Sequence, residues 1–237
     1  MGHNAAATIE DKERDFHDDW ARSIDPAQVM VKETFTASTS PESAWLFEQL
    51  GDVKGLTLLD LGSGGGESAV WFAMHGALVT ATDLSPEMCN VIQKVAAHNN
   101  TSLKTSVCNA EDLSQFPDAS FDIVFAANVL HHVNTETCLT EIKRVLKPGG
   151  RLASWDPVAY NPVINVYRGM AMEVRTEDEH PITMADVKAI KRHFPTMQKK
   201  FFWLTSLLVF LKFYLVDKIT SPIVPFMRIT FGIFINC

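Results

Sequence analysis

Short apolar runs alternate with amphipathic stretches through the middle of the chain. Five runs are bounded by Gly, Pro, Asn or Asp, which is typical of buried strands. They are residues 56–61, 77–83, 103–108, 121–127 and 151–156. The stretches around and between them have helical spacing, at residues 41–50, 67–75, 86–98 and 135–147. Strands that alternate with helices in this way predict βαβ units and a parallel sheet.

The alternation ends after residue 156, and the remaining chain is less regular. An irregular stretch is followed by a predicted helix at residues 184–193. Two late strands are predicted at residues 199–204 and 228–235, with a helix over 205–219 between them. We expect the late pair to add antiparallel strands to one edge of the parallel sheet.

Length and composition indicate one elaborated globular domain. The 237 residues are 46% apolar and 21% charged, which lies outside the disordered and low-complexity ranges. The four cysteines are scattered without a C-x-x-C pair, at Cys89, Cys108, Cys138 and Cys237. This spacing suggests neither a disulfide framework nor a zinc site, and it fits a reducing compartment.

Charge is distributed unevenly along the chain. The formal net charge is −7, although residues 188–237 contain eight Lys or Arg and a single acid, Asp217. An acidic body argues against a nucleic-acid partner, because such binding depends on a basic face. The acidic N-terminus does not resemble a secretory signal, so we expect a cytoplasmic protein. The nearly uncharged stretch of 16 residues at 201–216 is too short to predict a transmembrane helix.

A glycine-rich segment follows the first predicted strand. Residues 62–66 read Gly-Ser-Gly-Gly-Gly and lead into a predicted helix. Glycines permit a tight turn and close approach to a ligand, and the following helix start offers free N–H groups. The dinucleotide fingerprint would place a third glycine where this chain has Glu67, and a carboxylate there disfavours NAD and FAD. A tight turn without a ligand is the alternative.

Asp83 ends the second predicted strand, 21 residues after Gly62. A carboxylate at this place in a βαβ fold is suited to bind the two hydroxyls of a ribose. The alternative is that Asp83 helps to cap the helix that begins near Ser85. The glycine segment nearby favours the ribose hypothesis.

Five motifs in this order resemble the class I S-adenosylmethionine-dependent methyltransferase family. They are Asp60-x-Gly62-x-Gly64-x-Gly66, Asp83, Asn109-Ala110-Glu111, Phe121-Asp122-Ile123-Val124 and Pro148-Gly149-Gly150. The resemblance covers about residues 45–157. It implies an α/β, Rossmann-like, mostly parallel sheet of seven strands with helices on both faces. It further implies S-adenosylmethionine as the cofactor and S-adenosylhomocysteine as the product.

The resemblance also implies cofactor-binding roles. Asp60 would orient the amino group of the methionine part, and Asp83 would bind the ribose hydroxyls. Leu84 would pack on the adenine, and Asn128 would offer its backbone carbonyl to the ammonium group. The set implied to bind cofactor is Asp60, Gly62, Ser63, Gly64, Gly66, Asp83, Leu84, Asn109, Ala110 and Asn128. Asn109 departs from the family, which usually has an acid there, but an amide oxygen can also accept a hydrogen bond.

Methyl transfer from a sulfonium depends mainly on positioning, and a base is needed only if the acceptor loses a proton. Three candidates follow the fourth and fifth predicted strands, namely His131, His132 and Asp156. A histidine beside a carboxylate can remove a hydroxyl proton, and we favour His131. The alternative is that one histidine packs or caps the helix that begins near Thr135.

Residues after the fifth strand are expected to form the acceptor pocket. Aromatic, Arg and His side chains in this section can bind an anionic or hydroxylated group. Near the N-terminus, Trp20 belongs to a segment that resembles the one that many of these enzymes fold over their cofactor. The candidates are Trp20, Tyr160, Tyr167, Arg168, Arg175 and His180. The alternatives are an internal ion-paired cap and an N-terminal helix that simply packs on the sheet. We expect no metal, because consecutive residues at 178–180 rarely converge on one ion.

The C-terminal section is both apolar and basic. From residue 201 to 237, 24 of 37 residues are apolar. Late strands explain part of this composition, but residues 207–216 predict a helix that is apolar on nearly every side. We favour contact with an anionic membrane or a lipid-like substrate, with a protein interface such as a homodimer and simple burial as alternatives.

These observations predict one domain with three parts. Residues 1–44 form an N-terminal helical lid, residues 45–157 the cofactor-binding core, and residues 158–237 the substrate-capping section. The predicted activity is methyl transfer to a hydroxyl or amine of a small, apolar or lipid-like acceptor. The alternatives are a C-methyltransferase acting on a quinone- or sterol-like ring and a catalytically silent, membrane-associated protein that binds the cofactor.

Overall fold

Seven strands form one sheet in the computed structural model, which describes residues 8–38, 40–159, 181–202 and 230–236. The strands are β1 (Thr57–Leu61), β2 (Leu78–Asp83), β3 (Lys104–Val107), β4 (Phe121–Ala127), β5 (Leu146–Pro157), β6 (Gln198–Phe201) and β7 (Thr230–Asn236). Their order across the sheet is β3-β2-β1-β4-β5-β7-β6. The first five are parallel, whereas β7 is antiparallel to both β5 and β6. The predicted Rossmann-like sheet with a late antiparallel addition is confirmed.

Seven helices are present in the described part of the chain. They are α1 (Ile9–Ser23), α2 (Glu33–Thr36), α3 (Pro41–Leu50), α4 (Glu67–Met74), α5 (Pro86–His98), α6 (Thr135–Val145) and α7 (Met184–His193). The ends follow the local sequence: Ser85 caps α5 by accepting from Met88 N, and Asn134 caps α6 by accepting from Thr137 N. None of the helices in the described residues has the length and apolar character that crossing a bilayer would require.

Two apolar layers cover the two faces of the sheet. Successive strand residues alternate between them, so that Leu58 and Ile123 lie in one cluster while Leu59 and Val124 lie in the other. Helices α3, α4 and α5 pack on the first face, and α6 and α7 pack on the second. Because strands covered on both faces must be apolar throughout, this arrangement explains the short, continuous apolar runs.

The predicted end of α6 is wrong by two residues. The helix was expected to continue to residue 147, but it ends at Val145, and β5 begins at Leu146. The residue before a proline is disfavoured in helical geometry, which disfavours helix at Lys147 before Pro148. Strand β5 therefore includes the Pro-Gly-Gly segment, and its pairing with β4 shifts register near Phe121.

Candidate functional site

The glycine segment forms a tight turn from β1 into α4. Gly62, Gly64 and Gly66 have φ values of +63°, +51° and +88°, a region that favours glycine. A Cβ at Gly62 would lie 2.6 Å from Val129 Cγ2, and one at Gly66 would lie 3.2 Å from Ile92 Cα. The turn therefore needs glycine for backbone conformation and, at these two positions, for close packing.

Asp60 lies beneath this turn and is almost completely buried. Its side chain is 1% exposed, and Oδ2 has no hydrogen-bond partner among the described residues. Burial is the main cause that raises the pKa of Asp60 to about 7, and the neighbouring carboxylates Glu67 and Asp83 contribute to this rise. A buried carboxyl oxygen without a hydrogen-bond partner in the described part of the chain is suited to receive a cationic or hydrogen-bonding group of a ligand.

Asp83 connects the glycine turn to the start of α5. Its Oδ2 accepts from Gly64 N at 3.0 Å, and its Oδ1 accepts from Ser85 N at 3.0 Å. Burial raises the pKa of Asp83. The helix cap itself is the hydroxyl of Ser85, so Asp83 orders the approach to α5 rather than capping it. A carboxylate has further lone pairs, and Asp83 lines the cavity above the turn, so the ribose role stays open to it.

A cavity of about 1260 Å³ opens over the carboxyl ends of the parallel strands. Ligands collect at this edge in open α/β sheets, and a single small ligand generally needs less than 1000 Å³. The cavity is lined by nine of the ten predicted cofactor residues, namely Asp60, Gly62, Ser63, Gly64, Asp83, Leu84, Asn109, Ala110 and Asn128. Gly66 is the exception, and its backbone lies close to Ile92 of α5. The structure thus brings together residues predicted from four separate motifs.

Unpartnered polar atoms identify this cavity as a polar binding site. Besides Asp60 Oδ2, three buried atoms of lining residues lack a hydrogen-bond partner within the described part of the chain. They are His17 Nδ1, Asn128 Oδ1 and Trp155 Nε1. Buried polar groups are normally hydrogen-bonded, so a cluster of exceptions in one cavity is expected where a ligand binds.

The charge of the lining fits a cationic ligand. Nine of the lining residues in the described ranges are acidic, against two Lys or Arg, Lys188 and Arg192. A low-dielectric cavity lined by one sign of charge attracts the opposite sign. The residues present therefore fit a cofactor with a positive sulfur and an ammonium group.

Asn109 is already engaged with the backbone. Its Oδ1 accepts from Glu111 N at 2.8 Å, while Asn109 and Ala110 both line the cavity. The amide oxygen keeps one lone pair for a ligand donor. An adenine contact by Asn109 consequently stays a prediction.

The two neighbouring histidines occupy different surroundings. His131 is 3% exposed, its Nδ1 lies 2.9 Å from Asp156 Oδ1, and it does not belong to the described lining of the cavity. Asp156 also accepts from Ser154 Oγ at 3.0 Å. His132 lines the cavity, and its Nδ1 lies 3.4 Å from Glu13 Oε1. His131, the residue favoured from the sequence, is thus shielded from the cavity, and the catalytic role of each histidine stays a prediction.

Helix α1 forms one wall of the cavity. Its residues Glu10, Glu13, His17 and Trp20 line the cavity, and Asp18 hydrogen-bonds to the hydroxyl of Ser85. Spacings of three or four residues place such side chains on one helical face. That periodicity was the available signal for Glu10 and Glu13, which the sequence analysis did not identify. Glu42, at the start of α3, and Lys188 were also missed. The sequence offers no comparable signal for either residue.

Five predicted acceptor residues lie outside the described residues: Tyr160, Tyr167, Arg168, Arg175 and His180. The apolar section at 203–229 also lies outside them. Of the acceptor set, Trp20 is described, and it lines the cavity while 47% exposed. The described residues contain no group of three or more His, Cys, Asp or Glu arranged to hold a metal ion.

Comparison with known proteins identifies the kind of domain that contains this cavity. Residues 59–154 match the family model of the methyltransferase domain. These residues are a methyltransferase domain. The match begins in β1 and ends in β5, so the methyltransferase domain includes the glycine turn, Asp83 and Asn128. The resemblance to class I S-adenosylmethionine-dependent methyltransferases is thereby confirmed.

Curated relatives of the methyltransferase domain act on different atoms according to their names. A ubiquinone biosynthesis O-methyltransferase of Xanthomonas oryzae pv. oryzae is 37% identical over 102 residues, 43% of each chain. A thiol S-methyltransferase, TMT1B, of Rattus norvegicus is 36% identical over 121 residues, 48% of this chain and 49% of the relative. The chain thus spans about half the length of the curated relatives that it matches.

A solved structure confirms the fold over a longer part of the chain. An S-adenosylmethionine-dependent methyltransferase from Mesorhizobium loti has a TM-score of 0.61 and 19% identity. The similarity covers 86% of this chain and 100% of the other. The fold thus continues beyond the methyltransferase domain itself.

The pKa of Asp60 predicts opposite effects of pH on stability and ligand binding. Folded Asp60 stays protonated up to about pH 7, whereas the unfolded group ionises near 3.8. The folded chain binds the extra proton in that window, so its stability should fall as pH rises through it. Binding of a cation beside Asp60 should instead strengthen by about tenfold between about pH 6 and 8, as the carboxylate ionises.

Calorimetry with S-adenosylhomocysteine, together with urea unfolding at both pH values, measures these two effects. Asp60→Asn should remove both pH responses. Asp52→Asn changes an exposed carboxylate outside the cavity lining and should retain them. A wild-type response in Asp60→Asn would show that another group titrates.

Proposed function

We propose that the protein transfers the methyl group of S-adenosylmethionine to a hydroxyl or amine of a small, apolar or lipid-like acceptor. The observation that carries this proposal is the position of Asp60 and Asp83. Both carboxylates lie at the glycine turn, on the floor of a large acidic cavity, within a methyltransferase domain. When bound, the cofactor supplies a methyl group that its positive sulfur has already activated.

Different residues of this chain would bind different parts of the cofactor. Asp83 would bind the ribose hydroxyls, because its carboxylate is fixed by two backbone N–H groups and lines the cavity. Asp60, beneath the turn, would accept from the amino group. Leu84 would pack on the adenine beside Asn109 and Ala110, and the Asn128 carbonyl would face the ammonium. The sheet order β3-β2-β1-β4 supports these roles, because Asn109 follows β3, Asp83 ends β2, Asp60 lies in β1 and Asn128 follows β4.

The acceptor would occupy the part of the cavity beyond β4. Trp155 on β5 and His132 after β4 line the cavity, and so does Trp20 on α1. The relatives are named for transfer to oxygen and to sulfur, which supports a heteroatom acceptor over a ring carbon. A proton leaves a hydroxyl during such transfer. Of the two described histidines after β4, His132 lines the cavity and would receive this proton.

The capping segments follow from the same arrangement. We assign residues 1–44 to a lid because α1 lies along the cavity, and residues 158–237 to the acceptor side. The composition of the C-terminal section supports a peripheral contact with an anionic membrane surface by a cytoplasmic protein. Sedimentation with vesicles of phosphatidylserine and phosphatidylcholine at low salt tests this contact, and a chain that stays in the supernatant would contradict it.

Cofactor turnover tests the proposed function. We expect calorimetry to detect binding of both S-adenosylmethionine and S-adenosylhomocysteine. We also expect labelled methyl to appear in a hydroxylated or amine-bearing acceptor from lipid or polar extracts, with S-adenosylhomocysteine as the second product. Label on a ring carbon would favour the quinone- or sterol-like alternative. Binding without any S-adenosylhomocysteine formation would favour the silent binding protein.

A further inference from the structure

The two histidines after β4 form a layered pair beside the cavity. Their ring centroids are 4.0 Å apart, with the buried His131 held by Asp156 and the partly exposed His132 on the cavity side. The Asp156 carboxylate is itself fixed by Ser154 Oγ and His131 N. His131 therefore forms a rigid support for the ring of His132.

A carboxylate from the N-terminal helix reaches the other side of His132. Glu13 Oε1 lies 3.4 Å from His132 Nδ1, and the two side chains are 17% and 26% exposed. Helix α1 is fixed in this place by a second contact, between Asp18 and the Ser85 hydroxyl at the N-cap of α5. Glu13 and His132 are 119 positions apart in sequence, so only the packing of α1 brings them together.

We propose that Glu13 is a positioning residue that makes His132 the general base of the methyl transfer. This inference rests on the proposed function and assigns its acceptor a hydroxyl group. In this structure Glu13 Oε1 is within ion-pair distance of His132 Nδ1 but is not hydrogen-bonded to it. Once the contact shortens to a hydrogen bond, the carboxylate holds the ring proton at Nδ1, and Nε2 carries the lone pair that a base needs. Catalytic hydrogen bonds are often long or poorly aligned without substrate and tighten in the substrate complex, and we expect the 3.4 Å contact to shorten in this way.

The step balances without any further reactant. The acceptor O–CH₃ bond forms as the sulfur–methyl bond breaks, and the electron pair of the broken bond stays on sulfur. The hydroxyl proton moves to Nε2 of His132, so the positive charge passes from sulfur to the imidazole. Glu13 then stabilises the imidazolium, and a later exchange with water removes the proton.

The acidity of the acceptor hydroxyl distinguishes a catalytic base from a residue that only supports the fold. The probes are 4-heptylphenol and its 2,6-difluoro analogue, which has nearly the same shape but a much more acidic hydroxyl. An acceptor that ionises by itself needs no base. We therefore expect the His132→Gln change to lower kcat with 4-heptylphenol by about 100-fold, and Glu13→Gln by about tenfold, with little change in KM. Both losses should shrink to less than about threefold with the difluoro analogue.

Two further variants complete the experiment. Asp15→Asn removes an exposed carboxylate from the same helix and should match the wild type with both probes. The double change Glu13→Gln and His132→Gln should be no slower than His132→Gln alone, because Glu13 acts through His132. Equal losses on the two phenols, or additive losses in the double variant, would overturn the positioning role.

Cofactor binding distinguishes this inference from the function on which it rests. S-adenosylhomocysteine should bind the wild type and all four variants equally in calorimetry, because none of the changed residues belongs to the proposed cofactor set. Intact binding with losses that do not depend on acceptor acidity overturns the Glu13–His132 role alone. A wild-type chain that binds neither S-adenosylmethionine nor S-adenosylhomocysteine overturns the proposed function as well.

Discussion

Replacing Asp83 by Asn is expected to weaken binding of S-adenosylhomocysteine by at least about 100-fold. A charged acceptor of two hydroxyl hydrogen bonds contributes about 1.5–3 kcal/mol for each, and a neutral amide cannot accept both with the same strength. The change also places an NH₂ group against Gly64 N or Ser85 N, where the carboxylate now accepts at 3.0 Å on each side. The glycine turn should loosen and the ligand should lose its ribose anchor.

Calorimetry measures the affinity, and urea unfolding measures how much of the loss is structural. Asp52→Asn is the matched control, because Asp52 also accepts from the amide two residues ahead, at 3.0 Å, but lies in an exposed loop outside the described cavity lining. That variant should bind like the wild type. An Asp83→Asn protein that retains wild-type affinity would remove the ribose role and leave Asp83 with the alternative task of ordering the start of α5.

Replacing Gly62 by Ala should destabilise the fold and weaken cofactor binding together. The residue has a φ of +63°, where a Cβ costs about 1–2 kcal/mol. The new methyl would also lie 2.6 Å from Val129 Cγ2, a buried and β-branched side chain with little freedom to move. Overpacking of this kind adds about 1–3 kcal/mol. We therefore expect the free energy of unfolding in urea to fall by about 2–5 kcal/mol.

Gly64→Ala isolates the contribution of the steric contact. Gly64 has a φ of +51°, but a Cβ there has no neighbour within 4 Å. This variant should lose only about 1–2 kcal/mol, so the difference between the two variants measures the packing of the turn against Val129. Equal losses would mean that the Val129 side chain moves aside without cost.

The regular part of the fold was predictable because local and long-range signals agree there. Apolar strand runs and capping residues such as Ser85 indicate the same element boundaries. The end of α6 was mispredicted because helical periodicity continues past Val145, while Pro148 and the pairing with β4 favour a strand. Tertiary pairing prevailed over the local pattern, and β5 became longer than expected.

The candidate site was predictable in one half and not in the other. Asp60, the glycine turn and Asp83 lie at the ends of strands that finish at the same edge of a parallel sheet, so their order in sequence gives their order in space. No comparable rule relates α1 to the residues after β4. His131 and His132 are adjacent in sequence and equally plausible as bases, yet one is held by Asp156 and the other lines the cavity.

By itself, the sequence determined the alternation of strands and helices, the glycine turn and the carboxylates at the strand ends, because these depend on neighbouring residues and on topology. Only the tertiary structure decided which histidine lines the cavity and that Glu13 approaches it from α1. The reason is physical. The position of α1 results from its packing on α5 and from the contact of Asp18 with Ser85, and no periodicity in the chain encodes a contact between such distant elements.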